Sequence, residues 1–301
     1  MAASRFRAMN TDVTLLGRAN DSGFKRAFAA VRRTFSEVET SLSRFRDDSE
    51  LVALNQAHGQ PFMASSLLFH AVSLAIAAAE ATDGIFDPTV LPALEHAGYD
   101  RSFELILGSN RVDRPIAEAV GLPDYRTVHC NPDTRTIQLG IGQRIDLGGI
   151  GKGLAVDLAM EETAFLGGRC IVAGGDIAAR GRSGSEDGWT IALEDAGDAQ
   201  QHSVLVRDAA VATSSTSVRH WRLGDDEQHH LIDTRTGQPS SSPYRSVTVV
   251  AATCVQADVA AKTALLLGEP GIEFLNLQSI HGFAVRHDSS TASTHWWPQP
   301  C

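Results

Sequence analysis

The amino-acid sequence predicts an α+β fold. Helix-periodic and strand-like segments are mixed along the chain, yet the strands are not spaced regularly by helices. The second half is the richer in short β-branched runs. Regular alternation would instead predict a doubly wound parallel sheet.

The elements follow in order. Thr11, Val13 and Leu15 alternate as in a strand. Phe24, Ala27, Phe28, Val31, Phe35, Val38 and Leu42 recur at helical spacing and predict an amphipathic helix over 22–43. A second helix is expected over 65–82, stopped by Asp83-Gly84. Residues 95–135 carry little periodicity and read as loops with one short helix. Residues 136–147 read as a hairpin around Gly142-Gln143, followed by a glycine turn and a helix over 152–167. Short strands are expected at 171–173, 189–193, 204–206, 210–213 and 246–252, with polar turns at 182–188 and 237–244. A last helix is expected over 255–267, ending at Gly268.

The composition excludes some functions. The chain has 301 residues, 26 basic against 36 acidic, for a net charge of −10. Non-specific nucleic-acid binding needs a basic footprint, and docking on an anionic membrane needs basic clusters. No run approaches the ~18 apolar residues of a membrane span. The N-terminus has Arg5 and Arg7 but no apolar stretch of a signal peptide behind them. Cys130, Cys170, Cys254 and Cys301 form no close pair, so reduced thiols and a cytoplasmic location are the simplest expectation. Any phosphate binding must then be local.

Five segments carry candidate chemistry. Ile145–Asp157 (IDLGGIGKGLAVD) places glycines and Lys152 at a helix start, where backbone N–H groups attract anions. It is neither a Walker A loop nor a dinucleotide fingerprint, and on spacing alone it is equally a plain turn. Gly174 and Gly175 precede Asp176 after an apolar strand, which suits close backbone approach or a simple turn. His229 and His230 lie before Asp233 and Arg235; adjacent residues of a strand face opposite ways, so at most one faces a site. Asp258 is expected in the first turn of its helix, with Lys262 one turn on along the same face and Thr263 turned away. Gly84–Val90 (GIFDPTV) is a turn able to set an aromatic ring against a ligand.

Taken in order with MNTDVTL (from Met9), LSRFRDDSELVALNQ (Leu42–Gln56), AGGDI and VATSS, these blocks resemble the ApbE family of FAD:protein FMN transferases from about residue 9 to 287. The resemblance implies an α+β fold like a duplicated T-fold. It implies one composite domain over 1–301, two intertwined halves with an FAD cleft between them. It also implies an FAD substrate, Mg2+ at its pyrophosphate, and transfer of FMN to a threonine of an acceptor protein with release of AMP. By position, Met9, Phe45, Ile85, Phe86, Asp87, Asp146 and Lys152 would hold FAD, with Asn55, Gly174 and Gly175 lining the same cleft. Asp258 and the backbone near Gly149 would bind the metal, and His230 would activate the acceptor hydroxyl. A non-transferring FAD-binding protein and an FAD pyrophosphatase remain as alternatives of the same fold.

The chain departs from the family pattern in three places. Lys262 stands where a metal-binding threonine is usual, and a protonated ammonium has no lone pair for a metal. It is expected to replace the ion in part by contacting the pyrophosphate. Thr234 stands for a proline in the DTRTG turn, which should loosen it. Ser215 stands for a glycine, which should alter the backbone there.

Overall fold

Eight strands pair in the order in which the chain lays them down, each antiparallel to the next. The computed structural model describes residues 1–18, 23–107, 121–184, 186–193, 203–224 and 226–297. Among these the main sheet runs β1 (Ala2–Ala8), β2 (Thr11–Gly17), β3 (Arg169–Ala173), β4 (Asp176–Arg180), β5 (Ala209–Ser215), β6 (Tyr244–Ala251), β7 (His281–Arg286) and β8 (Thr291–Ser293). The antiparallel sheet, together with the helices below, makes the fold α+β, as expected. The central strands carry runs of consecutive buried residues, because side chains of both faces are covered. Val211, Phe283 and Val285 join Trp189, Ile191, Val204 and Val206 of a small strand pair in one core cluster. The alternate residues Ala210, Ala212, Val247 and Val249 are buried as well, so the sheet is covered on both faces.

The helices are α1 (Phe24–Leu42), α2 (Glu50–Asn55), α3 (Ser66–Ala81), α4 (Leu91–His96), α5 (Phe103–Leu107), α6 (Gly151–Glu162), α7 (Cys254–Leu267) and α8 (Pro270–Leu277). Helix α1 lays Phe28 and Phe35 edge-on against Phe6 of β1, at 5.7 and 5.8 Å. Helix α7 runs along β5 and β6, and α8 packs on α7. Ser49, Ser65 and Thr253 cap α2, α3 and α7 through hydrogen bonds from the third residue on. Helix α3 stops where Asp83-Gly84 required: both residues have positive φ, and the Gly84 N–H donates to the Ala79 carbonyl at 2.8 Å.

The chain divides into two compact units. One comprises 1–37, 152–215 and 242–301 and contains the whole main sheet. The other comprises 38–151 and 216–241. It holds α2 to α5, a three-stranded sheet of Phe62–Met63, Thr136–Gln138 and His129–Asn131, and the hairpin of His220–Leu223 with Asp226–His229. Its aromatic core joins Tyr99 and Trp221, whose Nε1 donates to the Ala97 carbonyl at 2.8 Å.

Several expectations need correction. Strand β1 was not anticipated, because AASRFRA is an edge strand carrying Arg5 and Arg7; Met9 and Asn10 turn it into β2 with φ of 50° and 57°. The hairpin over 136–147 does not form. Gln143 closes a turn on Gly140, but residues 144–147 form no strand. The strand that pairs with 136–138 comes before it, at 129–131. Helix α6 ends at Glu162 rather than 167, where the Arg169 guanidinium takes up the Met160 and Leu166 carbonyls. Of the stretch 95–135, residues 108–120 lie outside the described residues; the rest adds α5, a short 3-10 turn at Tyr125–Thr127 and the 129–131 strand. Ser215 lies in β5 without a positive φ, so its backbone needs no glycine.

Candidate functional site

In the first unit, two largely buried ion pairs act on one another electrostatically. Lys152 is the second residue of α6, and Asp176 opens β4. The Lys152 ammonium donates to Asp176 Oδ2, and the Asp176 side chain is 2% exposed. Asp258 and Lys262 stand one turn apart on α7, with Nζ 3.3 Å from Oδ1 and both side chains largely buried. The same-face expectation therefore holds. Asp258, however, is the fifth residue of α7, beyond the first turn, because the helix starts at Cys254. Burial pushes the Asp176 carboxyl up, Lys152 pulls it back, and the charge of Asp258 adds to the rise. The two carboxylates and two ammoniums thus form one electrostatic group.

The elements carrying this group are held by their own devices. Gly174 and Gly175 form the exposed two-residue turn between β3 and β4. Gly174 has φ of +62°, and a Cβ there would lie 2.8 Å from Thr11 Oγ1. The Gly175 carbonyl accepts from the Thr213 N–H at 3.1 Å. The close approach at these glycines is made by the chain's own neighbouring strands. Asp157 of α6 accepts from the Cys254 and Val255 N–H groups at 2.8 and 3.0 Å, capping α7 from another helix. Gly153 allows that contact, since a Cβ on it would lie 3.1 Å from Val255 N. Burial raises the Cys254 thiol well above its ordinary range, and Asp176, Asp157 and Asp258 add to this, so it is no nucleophile at neutral pH.

The second unit carries most of the other candidates. The Arg44 guanidinium lies 4.2 Å from the Phe45 ring centre and 4.5 Å from that of Tyr99. Its Nε meets Asp146 at 3.1 Å, with the Arg44 side chain 5% exposed. Phe45 is 37% exposed. Asn55 brackets Ile145: its Nδ2 donates to the Ile145 carbonyl at 2.9 Å and its Oδ1 accepts the Ile145 N–H at 2.8 Å. The Asp146 N–H donates to the Pro88 carbonyl at 2.8 Å. These bonds satisfy the backbone that a hairpin would have paired. Gly149 lies in the turn after Asp146, just before α6. Ile85 is half-buried and Phe86 is buried, the Phe86 N–H resting on Thr82 Oγ1.

Asp87 is buried, and its carboxylate serves main chain. Oδ1 accepts from the Thr89 N–H and hydroxyl at 2.8 and 2.7 Å, and Oδ2 from the Tyr125 N–H at 3.0 Å. Burial nonetheless holds its carboxyl above the usual range. Asp87→Asn turns an amide NH2 toward one of these donors. The expected cost is about 1–3 kcal/mol of stability, read as a lower urea midpoint. An unchanged midpoint with weakened FAD binding would show instead that the carboxylate serves the ligand.

The two histidines differ. His229 ends a strand, with Nε2 2.9 Å from the Ser240 carbonyl and Nδ1 accepting the Leu231 N–H at 3.2 Å. Both of its nitrogens brace a turn. His230 follows that strand, half-buried, with Nδ1 3.4 Å from the Arg219 carbonyl. A carbonyl only accepts, so Nδ1 carries the proton and Nε2 is the basic nitrogen. Thr234 does not loosen its turn: Arg235 grips Asp233 at 2.8 Å through Nε and Nη2, and Gly237 N–H closes on the Asp233 carbonyl.

Magnesium prefers six oxygens at ~2.0–2.1 Å. Among the described residues no cluster of three or more His, Cys, Asp or Glu side chains is placed to hold a metal. Asp258 already holds an ammonium, and Asp176 another. The Thr263 hydroxyl is buried and makes no hydrogen bond among the described residues. Unit charges ~4 Å apart interact by about 4 kcal/mol under protein-surface screening, so a dication beside Lys262 meets strong repulsion. The donor set does not fit magnesium.

Sequence reasoning missed Arg44, Tyr99 and Asp157. Arg44 lies within LSRFR and Asp157 is the last residue of IDLGGIGKGLAVD. Their partners, 102 and 97 residues on for Asp146 and Cys254, leave no local signal.

The family model that matches is described as "ApbE family" and spans residues 9–284. The FAD:protein FMN transferase of Treponema pallidum (strain Nichols) is 31% identical over 81% of this chain and 74% of its own length. That of Vibrio cholerae serotype O1 is 27% identical over 79% and 72%. The crystal structure of the ApbE protein from Thermotoga maritima superposes with a TM-score of 0.86 at 22% identity, covering 98% of this chain and 97% of that one.

Proposed function

The chain belongs to the ApbE family, and from that premise we propose that it is an FAD:protein FMN transferase. One observation carries the reading. The family match runs from residue 9 to 284 and so takes in the blocks around Met9, Phe45, Asp87, Lys152, His230 and Asp258.

The reaction is a phosphoryl transfer. The hydroxyl oxygen of an acceptor threonine bonds to the FMN-side phosphorus of FAD. The pyrophosphate P–O bond breaks, and AMP leaves with that oxygen. Such chemistry depends mainly on positioning and on neutralising charge. His230 Nε2 takes the hydroxyl proton as general base. Lys152, anchored on Asp176, sets a positive charge against the pyrophosphate. Phe45, beside Arg44 and Tyr99, offers a flat aromatic surface suited to the isoalloxazine ring. Asn55 acts through Ile145, positioning the segment that carries Asp146.

The test is incubation with FAD and a threonine-bearing acceptor peptide, followed by intact mass spectrometry. An FMN-sized adduct with equimolar AMP is the expected result. AMP without an adduct would mark an FAD pyrophosphatase, and neither product would mark a protein that only binds flavin.

A further inference from the structure

We propose that the Lys262 ammonium, seated on Asp258, takes the place of a divalent cation, so that this chain holds the diphosphate of its substrate without magnesium. The inference rests on the transferase reading and deepens it.

The geometry provides the argument. Lys262 and Asp258 face the same way from consecutive turns of α7, 3.3 Å apart. A tether of one helical turn keeps the cation at the carboxylate as a metal bond otherwise would. Lys152 is held likewise on Asp176. Both pairs belong to one group, since the charges of Lys152, Asp258 and Lys262 all act on Asp176. Two carboxylates and two ammoniums sum to zero charge. Lys262 supplies, at Asp258, one of the two positive charges that a dication would bring, and a dication placed beside it meets its repulsion. An ammonium carries three N–H donors, so one can bond a carboxylate and point another donor at a phosphate oxygen.

The experiment is calorimetric titration of the full chain with FAD, and with ADP as a diphosphate lacking flavin. Each is run in EDTA and in excess magnesium. The expected result for the native chain is the same Kd in both, within about threefold. Lys262→Thr removes the cation and leaves an oxygen facing Asp258. It is expected to bind both ligands at least tenfold more weakly in EDTA and to regain affinity when magnesium is added. Thermal melts of the variant confirm that it is folded, and the native chain provides the test independently of it. A native affinity that falls tenfold or more on removing magnesium overturns the proposal and leaves the transferase reading standing. A Lys262→Thr chain that binds as tightly as the native one in EDTA also overturns it. Failure of FAD to bind under every condition overturns the transferase reading itself, and the proposal with it.

Discussion

His230→Ala is expected to slow FMN transfer by about 10²–10⁴-fold, the usual worth of a positioned general base. Each tenfold is ~1.4 kcal/mol of transition-state stabilisation, so the loss amounts to about 3–5 kcal/mol. The expectation follows from the tautomer. Nδ1 faces the Arg219 carbonyl at 3.4 Å, which leaves the basic lone pair on Nε2. FAD affinity should stay within about twofold, because proton transfer comes after binding and the imidazole is given no part in holding the nucleotide. Single-turnover labelling of an acceptor measures the rate, and fluorescence titration measures the affinity. Transfer by His230→Ala at the native rate would remove the residue from the mechanism. His229→Gln makes a useful contrast. Both of its nitrogens brace main chain at Ser240 and Leu231, so its loss should appear first in stability.

The second large effect lies in the Lys152–Asp176 pair. Lys152→Met leaves Asp176 buried without its counter-ion, and breaking a buried pair from one side typically costs about 3–5 kcal/mol. Chemical denaturation should show that loss near neutral pH. Its sign with pH is determined. Burial already raises the Asp176 carboxyl, and removing Lys152 takes away the largest opposing influence. A carboxyl whose folded-state affinity for protons exceeds that of the unfolded chain favours the folded state most when protonated. The deficit of the variant should therefore be full at neutral pH and shrink as the pH falls and Asp176 takes up a proton. Adding Asp176→Leu to Lys152→Met should recover most of the stability, since an apolar pair of similar volume often replaces a buried ion pair without loss. It should not recover FAD affinity. A double variant as unstable as the single one would show that the orphaned charge was not the cause.

Much of the fold was legible from local pattern. The 19 residues of α1, the Thr253-capped α7 and the stop of α3 at Asp83-Gly84 each follow from spacing or capping within a few residues. Errors fell where a long-range partner replaced a local one. Residues 144–147 looked like the return strand of a hairpin, but the Asn55 amide bonds both backbone groups of Ile145 from 90 residues away. Helix α6 read as longer because the guanidinium that ends it comes from Arg169 of the next strand. Strand β1 was hidden because an edge strand need not be hydrophobic on either face.

The candidate site divides in the same way. The order of its motif blocks was readable in one dimension, and so was the pairing of Asp258 with Lys262, because helix geometry sets which residues four apart share a face. Sequence alone thus determined the α+β class, the family, and the unusual cation beside Asp258. Only the tertiary structure decided which buried charges cancel. Lys152 meets Asp176 across 24 residues, and Asp157 reaches the α7 N-terminus across 97. The physical reason is that desolvating a charge is costly unless a partner meets it. That partner is chosen by packing in three dimensions, and spacing along the chain carries no record of it.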